Sequence, residues 1–93
     1  MKIGFIGVGN MASAIIKGII TKEFVAANEV YLFDPMTEKV TAFAKEHGCQ
    51  VSATTAELIE AVDTVLLAVK PNVIESVLQE NKALITTKKP LLI

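Results

Sequence analysis

Lys2-Ile3-Gly4-Phe5-Ile6-Gly7-Val8-Gly9-Asn10-Met11-Ala12 is the stretch whose reading decides the fold. Ile3 to Ile6 has the length and β-branched content of a central parallel strand. Gly7-x-Gly9-x-x-Ala12 then fits the dinucleotide-binding fingerprint, with alanine in the third place. Gly7 permits a tight strand-to-helix turn. Gly9 has no Cβ, so a pyrophosphate can approach its backbone. Ala12 is small enough for a helix to pack close on the strand. That helix would aim its free N–H groups and positive dipole end at the phosphates. Alone, the pattern is also compatible with a glycine turn that binds nothing. Its context, a strand before, a helix after and an acid at the end of the next strand, favours a nucleotide site.

Working outward, 93 residues allow a single domain with a small core. Hydrophobic residues make up 52% of the chain, which suits strands buried on both faces and argues against disorder. Nine basic and ten acidic residues are spread evenly, for a net charge of −1. This charge pattern points to neither nucleic acid nor an anionic membrane as partner. Cys49 is the only cysteine, so no internal disulfide framework exists, and a reducing cytoplasm is the expected setting. The N-terminal apolar run is broken by glycines, Asn10 and Ser13, which fits a strand and helix better than a secretory signal. No apolar run has the length of a membrane span.

The first helix is predicted from Asn10 to Thr21, with Met11, Ala14, Ile15, Gly18 and Ile19 as its inward face. Gly18 is expected to allow close packing on the sheet. In the connection that follows, Phe24 and Val25 are expected to fold back onto the core. The second strand, Val30 to Phe33, ends at Asp34-Pro35. Thr37 is the expected N-cap of a helix running to His47, and Gly48 its left-handed terminator. Cys49 to Ser52 reads as a short third strand. Thr54-Thr55-Ala56-Glu57 has capping-box spacing and opens a short helix with Leu58, Ile59 and Val62 inward. Thr64 to Val69 is the fourth strand, ended by Lys70-Pro71. A last helix is expected from Asn72, then a polar turn at Thr86 to Lys89, then the start of a fifth strand at Leu91 to Ile93. The order predicts an α/β fold: a Rossmann-type, doubly wound parallel sheet in the order 3-2-1-4-5. A buried strand that stops at its third residue suggests the front part of a longer protein, with a sheet incomplete at the C-terminus. A short natural protein ending in an edge strand is the alternative.

Two further places could carry chemistry. Asp34 can accept hydrogen bonds from adenosine ribose hydroxyls and would repel a 2′-phosphate, favouring NAD over NADP. Equally, it can simply open the turn at Pro35. Lys39, in the next helix, could attract a 2′-phosphate. Ala68-Val69-Lys70-Pro71 lies where the crevice outside the sheet would hold the nicotinamide half of a cofactor. Lys70 could meet a phosphate or a substrate carboxylate, or be a solvated side chain beside a strand-ending proline. His47, the only histidine, sits where a helix dipole favours it. It has no partners at metal-ligand spacing, so no metal site is expected. No nucleophile triad and no general acid or base is identifiable.

The pairing of Phe5-Ile6-Gly7-Val8-Gly9-Asn10-Met11 with Leu67-Ala68-Val69-Lys70-Pro71 resembles pyrroline-5-carboxylate reductase over the whole chain. The resemblance implies residues 1–93 to be the N-terminal dinucleotide-binding domain of an oxidoreductase. That enzyme reduces the C=N bond of Δ1-pyrroline-5-carboxylate to L-proline, the last step of proline biosynthesis. It further implies that Gly7, Val8, Gly9, Asn10 and Met11 hold the pyrophosphate. Asp34 would meet the adenosine ribose, and Ala68, Val69, Lys70 and Pro71 would line the nicotinamide ribose. Thr55 stands where many members carry a cofactor-contacting asparagine. The family favours NADP(H), whereas Asp34 favours NAD(H). A helical C-terminal domain, absent here, would supply most of the substrate pocket and the contacts of a dimer-based homo-oligomer. The alternatives are a non-catalytic dinucleotide-sensing module and a related reductase with another substrate.

Overall fold

The computed structural model describes residues 1–93. Five strands form one parallel sheet in the order β3-β2-β1-β4-β5. They are β1 (Ile3–Ile6), β2 (Val30–Phe33), β3 (Gln50–Val51), β4 (Thr64–Leu67) and β5 (Leu91–Leu92). Helices α1 (Asn10–Thr21), α2 (Thr37–His47), α3 (Thr55–Ala61), α4 (Pro71–Glu80) and α5 (Lys82–Lys88) connect them, with a 3-10 turn at Ala27–Glu29. The predicted strand order, the boundaries of α1 and β2 and the end of α2 agree with this. The end of β3 at Val51 and of β4 at Leu67 is tighter than predicted.

Alternation along β1 assigns the two faces of the sheet. Phe5 joins Val8, Ala12, Ile16, Val30, Leu32, Val40 and Ala44 in a core under α1 and α2. Ile6 joins Leu58, Ile59, Val62, Val65 and Val77 in a second core under α3 and α4. Gly4 points to that second side. A Cβ there would lie 2.4 Å from Leu58 Cδ2 and 3.2 Å from Val62 Cγ2, so α3 sits directly against bare backbone.

The inward face of α1 differs from the predicted one. Ala12 and Ile16 are buried and Ile19 and Ile20 half-buried, whereas Met11 is 70% exposed and Ala14, Ile15 and Gly18 are also exposed. Helical periodicity was right, but the helix is turned by one residue, because Ala12 must face the strand that feeds it. Gly18 meets open space rather than the sheet. Val25 folds onto the core, while Phe24 is left 73% exposed.

A Schellman motif closes α1: the Phe24 N–H donates to the Ile19 carbonyl and the Glu23 N–H to that of Ile20, both at 3.0 Å. Glu23 carries the left-handed conformation, with φ 59°, where glycine is usual. Glu23→Gly is therefore expected to stabilise the protein by about 1 kcal/mol, or roughly 5 °C in Tm. Thermal unfolding of the two proteins side by side checks this, and an unchanged or lower Tm contradicts it. The same conformation at the end of α2 is taken by Gly48, as predicted (φ 78°).

Thr37 is the first helical residue of α2, not its cap. Met36 holds the cap position without a side-chain bond, and the Met36 N–H donates to Asp34 Oδ1 at 2.9 Å. Thr54 does cap α3, accepting from the Glu57 N–H at 3.1 Å, while Glu57 accepts from the Ala53 N–H, one residue outside the usual box. The single last helix predicted from Asn72 is two helices, and the first of them, α4, begins one residue earlier at Pro71, with proline in its favoured first position. Thr86 to Lys88, expected in a turn, are helical. Their hydroxyls explain the difference: Thr86 and Thr87 donate to the carbonyls of Lys82 and Ala83, satisfying themselves inside the helix. Asn81 divides α4 from α5. Its buried amide donates to Thr55 Oγ1 at 3.0 Å and to the Val77 carbonyl at 2.9 Å.

The N-terminal ammonium reaches Glu29 at 3.1 Å. The Ala26 N–H first, and then that ammonium, hold the Glu29 carboxyl below its ordinary range. The tie is present at neutral pH and is lost as pH falls through that lowered value.

Candidate functional site

The strand order reverses at β1, which pairs with β2 on one side and β4 on the other. Ile6 is in register with both Phe33 and Leu67. Beyond these three residues the loops diverge to opposite faces and leave a crevice, the usual place for a ligand in an open parallel sheet.

Two hydrogen bonds extend the ladders by one residue. The Gly7 N–H donates to the Phe33 carbonyl at 2.8 Å, and the Ala68 N–H to that of Ile6 at 2.9 Å. The two loops then touch. A Cβ on Gly7 would lie 2.5 Å from the Ala68 carbonyl oxygen and 2.7 Å from Val69 Cγ1, and Gly7 has φ +100°. Both the conformation and the space require glycine. Gly9 is different: φ is −86°, it is exposed, and a Cβ would meet nothing within 4 Å. Its bareness serves the solvent side, not the protein's own packing.

Gly9 is the N-cap of α1. The helix has no capping side chain and no acid in its first turn. Its first-turn N–H groups thus carry no side-chain cap beside exposed Gly9, Asn10 and Met11. Val8 faces the other way, with its side chain in the core at 2% exposure. Only the Val8 backbone belongs to the loop surface.

Across the crevice, Lys70 is the N-cap of α4, exposed, and its carbonyl accepts from Val73 and Ile74. No carboxylate pairs with its ammonium. Pro71 opens α4 as well as ending the strand segment.

Asp34 lies at the carboxyl end of β2. Its Oδ2 accepts from the Val8 N–H at 2.9 Å and its Oδ1 from the Met36 N–H at 2.9 Å. The turn reading of Asp34 is therefore correct as far as it goes, and the carboxylate also ties the turn to the glycine loop. Beside it lies a cavity of about 450 Å³, lined by Phe33, Asp34, Pro35, Thr37, Val40, Val51, Ser52 and Ala53. The end of β3 contributes the last three, which the sequence reading did not select. Their signal was only the expected adjacency of β2 and β3, realised as Leu32 opposite Val51. A second hollow of about 330 Å³, lined by Met36, Thr37, Glu38 and Lys39, covers the first turn of α2.

Thr55 departs from its expected place at a cofactor. It is 8% exposed, and its hydroxyl accepts from Asn81, where the junction of α4 and α5 packs against α3. The threonine side chain is committed to packing two helices, and only its backbone stands at the start of α3.

Cys49 is half-buried, and desolvation raises its thiol pKa, leaving a small, poorly nucleophilic side chain. His47 packs its ring on Phe43 at 4.4 Å between centroids, at the end of α2 away from the crevice. No three histidine, cysteine or carboxylate side chains converge as a metal site would need. No helix is long and apolar enough to cross a membrane.

Residues 2–91 match the family described as NADP oxidoreductase, coenzyme F420-dependent. The chain belongs to this family. Within it, the likeness to pyrroline-5-carboxylate reductase read from the two motifs is borne out. The Escherichia coli enzyme of that name is 35% identical over 85% of this chain, and that of Methanosarcina acetivorans 39% identical over 95%. These alignments cover 29% and 33% of the relatives' own lengths. Among solved structures, a Coxiella burnetii pyrroline-5-carboxylate reductase superposes with a TM-score of 0.88 at 31% identity. It matches 98% of this chain, which spans 33% of that one. A Plasmodium falciparum pyrroline carboxylate reductase with NADP bound gives 0.80 at 27% identity, over 99% of this chain and 32% of its own.

Proposed function

We propose that residues 1–93 are the dinucleotide-binding domain of a pyrroline-5-carboxylate reductase, an NAD(P)H-dependent oxidoreductase that forms L-proline. The observation that carries this is the contact of Gly7 with Ala68 and Val69, which makes one groove of the Gly7-to-Met11 and Ala68-to-Pro71 segments.

The residues present fit a dinucleotide. The open space over Gly9 admits a pyrophosphate to the backbone, and the uncapped start of α1 supplies N–H donors and the positive end of its dipole. In this reading Gly7 to Met11 form the pyrophosphate loop: the N–H groups that open α1 are the donors, while the Gly7 and Val8 N–H groups, given to Phe33 and Asp34, hold the loop in shape. Asp34 meets the adenosine ribose above the cavity shared with Val51 to Ala53, and Lys39 flanks it. Ala68, Val69, Lys70 and Pro71 border the nicotinamide ribose. Thr55 contributes through its backbone, since its hydroxyl serves Asn81. When bound, the reduced nicotinamide supplies a hydride to the C=N carbon. The chain's own part is to orient the cofactor by backbone and to keep a cation, Lys70, beside the mouth for an anionic group.

The family's description and the NADP-bound Plasmodium falciparum structure favour NADP(H), and Asp34 favours NAD(H), so both cofactors belong in the test. A cytoplasmic, dimer-based homo-oligomer acting on a small imino acid completes the proposal. Titrating the full-length protein with NADPH and NADH by nucleotide fluorescence should show binding of at least one. Pyrroline-5-carboxylate should then drive its oxidation. Binding without that oxidation would point to a sensing module or another substrate, and no binding of either nucleotide by folded protein would defeat the reading.

A further inference from the structure

We infer that Asn81 is a positioning residue for the nicotinamide side of the groove: its amide ties the far end of α4 to α3 through Thr55, and so fixes the helix that Lys70 and Pro71 begin. The bearing on the nucleotide rests on the cofactor-groove reading above.

Little else holds α4. Val77 is its one buried side chain, packed in the core with Ile6, Leu58 and Val65. Ile74 and Leu78 are half-buried, and the rest of the helix is exposed. Burial of an apolar side chain is a non-directional contact, which leaves rotation about the helix axis open. A hydrogen bond is directional. The one side-chain bond inside α4 runs from the Ser76 hydroxyl to the Asn72 carbonyl and reaches no other element.

Asn81 supplies the missing direction. It is the C-cap of α4 and is 5% exposed. Its amide nitrogen donates to Thr55 Oγ1 at 3.0 Å and to the Val77 carbonyl at 2.9 Å. Its own carbonyl accepts from the Ile85 N–H at 2.9 Å, in the first turn of α5. Thr55 is buried at the first turn of α3, a helix seated directly on the bare backbone of Gly4. The tie therefore runs from a firmly seated helix to a loosely held one. The ten residues of α4 are a rigid rod of about 15 Å. A rotation allowed at Asn81 is thus passed to Lys70 and Pro71, at the mouth of the groove.

Substitutions separate this role from simple stability. In Asn81→Ser the short hydroxyl still bonds back to the Val77 carbonyl, one turn earlier, but does not reach Thr55. The cap stays and the tie is lost. Asn81→Leu loses both. Val62→Ala, in the same core at the other end of α3, is the control for lost stability alone.

Hydrogen exchange of the Ile74 amide in the nucleotide-free, full-length protein tests the tie. That N–H donates to the Lys70 carbonyl, so its exchange reports on the start of α4. Steady-state kinetics of the same proteins, with NADH or NADPH and pyrroline-5-carboxylate, tests the positioning. Both Asn81 variants should speed Ile74 exchange by roughly fivefold and raise the KM for the nucleotide by a similar factor at nearly unchanged kcat. A merely structural role would lower kcat through loss of active enzyme and leave KM unchanged, as expected for Val62→Ala. Unchanged Ile74 exchange in Asn81→Ser overturns the tie. Faster exchange with an unchanged KM, or an equal rise of KM in Val62→Ala, overturns the positioning role. Should the wild type oxidise neither nucleotide, the groove reading fails, and the exchange rates still decide the tie.

Discussion

Gly7→Ala is expected to abolish measurable nucleotide binding and to destabilise the protein by about 2–4 kcal/mol. Two costs combine. At φ +100° an alanine is strained, and its Cβ would stand 2.5 Å from the Ala68 carbonyl oxygen, a backbone atom that cannot move alone. Ala68 is itself fixed by its N–H bond to Ile6. Relief would therefore part the loops after β1 and β4 and open the groove. For a domain of this size the loss is a large part of the total stability. Gly9→Ala is the matched control. Its Cβ meets no protein atom and its φ is negative, so unfolding should be unchanged within about 0.5 kcal/mol while nucleotide affinity falls. Urea unfolding and nucleotide titration of both variants check the pair. Equal stability losses at the two positions would mean that Gly7 is not held against Ala68.

Gly4→Ala carries the second large effect, and it concerns the fold alone. The added methyl enters the contact between β1 and α3, 2.4 Å from Leu58 Cδ2 and 2.9 Å from its Cγ. Leu58 is fully buried, so its side chain has no solvent to retreat into. Overpacking of this kind costs about 1–3 kcal/mol. Leu58→Ala alone should cost about 2–5 kcal/mol through the cavity it leaves. Together the two changes are expected to cost clearly less than their sum, because the new methyl occupies part of that cavity. Denaturant midpoints of the two single variants and the double variant provide the test. Simple additivity would show that Gly4 and α3 are not in contact.

Much of the fold was legible because its signals are local. The apolar runs of β1 and β4, the glycine turn and the Asp34-Pro35 stop each declare themselves within a few residues. Parallel strands with right-handed crossovers then leave few possible orders. The misreadings share one physical cause. The inward face of α1 and the exposure of Phe24 both depend on how an element is rotated against its neighbours. Met11 and Ile15 are as hydrophobic as Ile16 and Ile20, and only the approach of Ala12 to β1 decides which pair is covered. Thr86 and Thr87 read as turn residues until the helix lets their hydroxyls bond back to its own carbonyls.

The sequence by itself determined the succession of the strands, the sheet order and the two loops that meet at the switch point, since strand period, glycine and proline act along the chain. The tertiary structure alone decided what those residues do to one another. It turned Gly7 from a residue that permits a tight turn into a position that also has no room for a side chain. It gave Thr55 to Asn81, and it tied Asp34 to the backbone between the glycines. Such contacts join residues 26 apart in the case of Asp34 and Val8, and hydrogen bonds at that separation exist only once the sheet has brought two strand ends together.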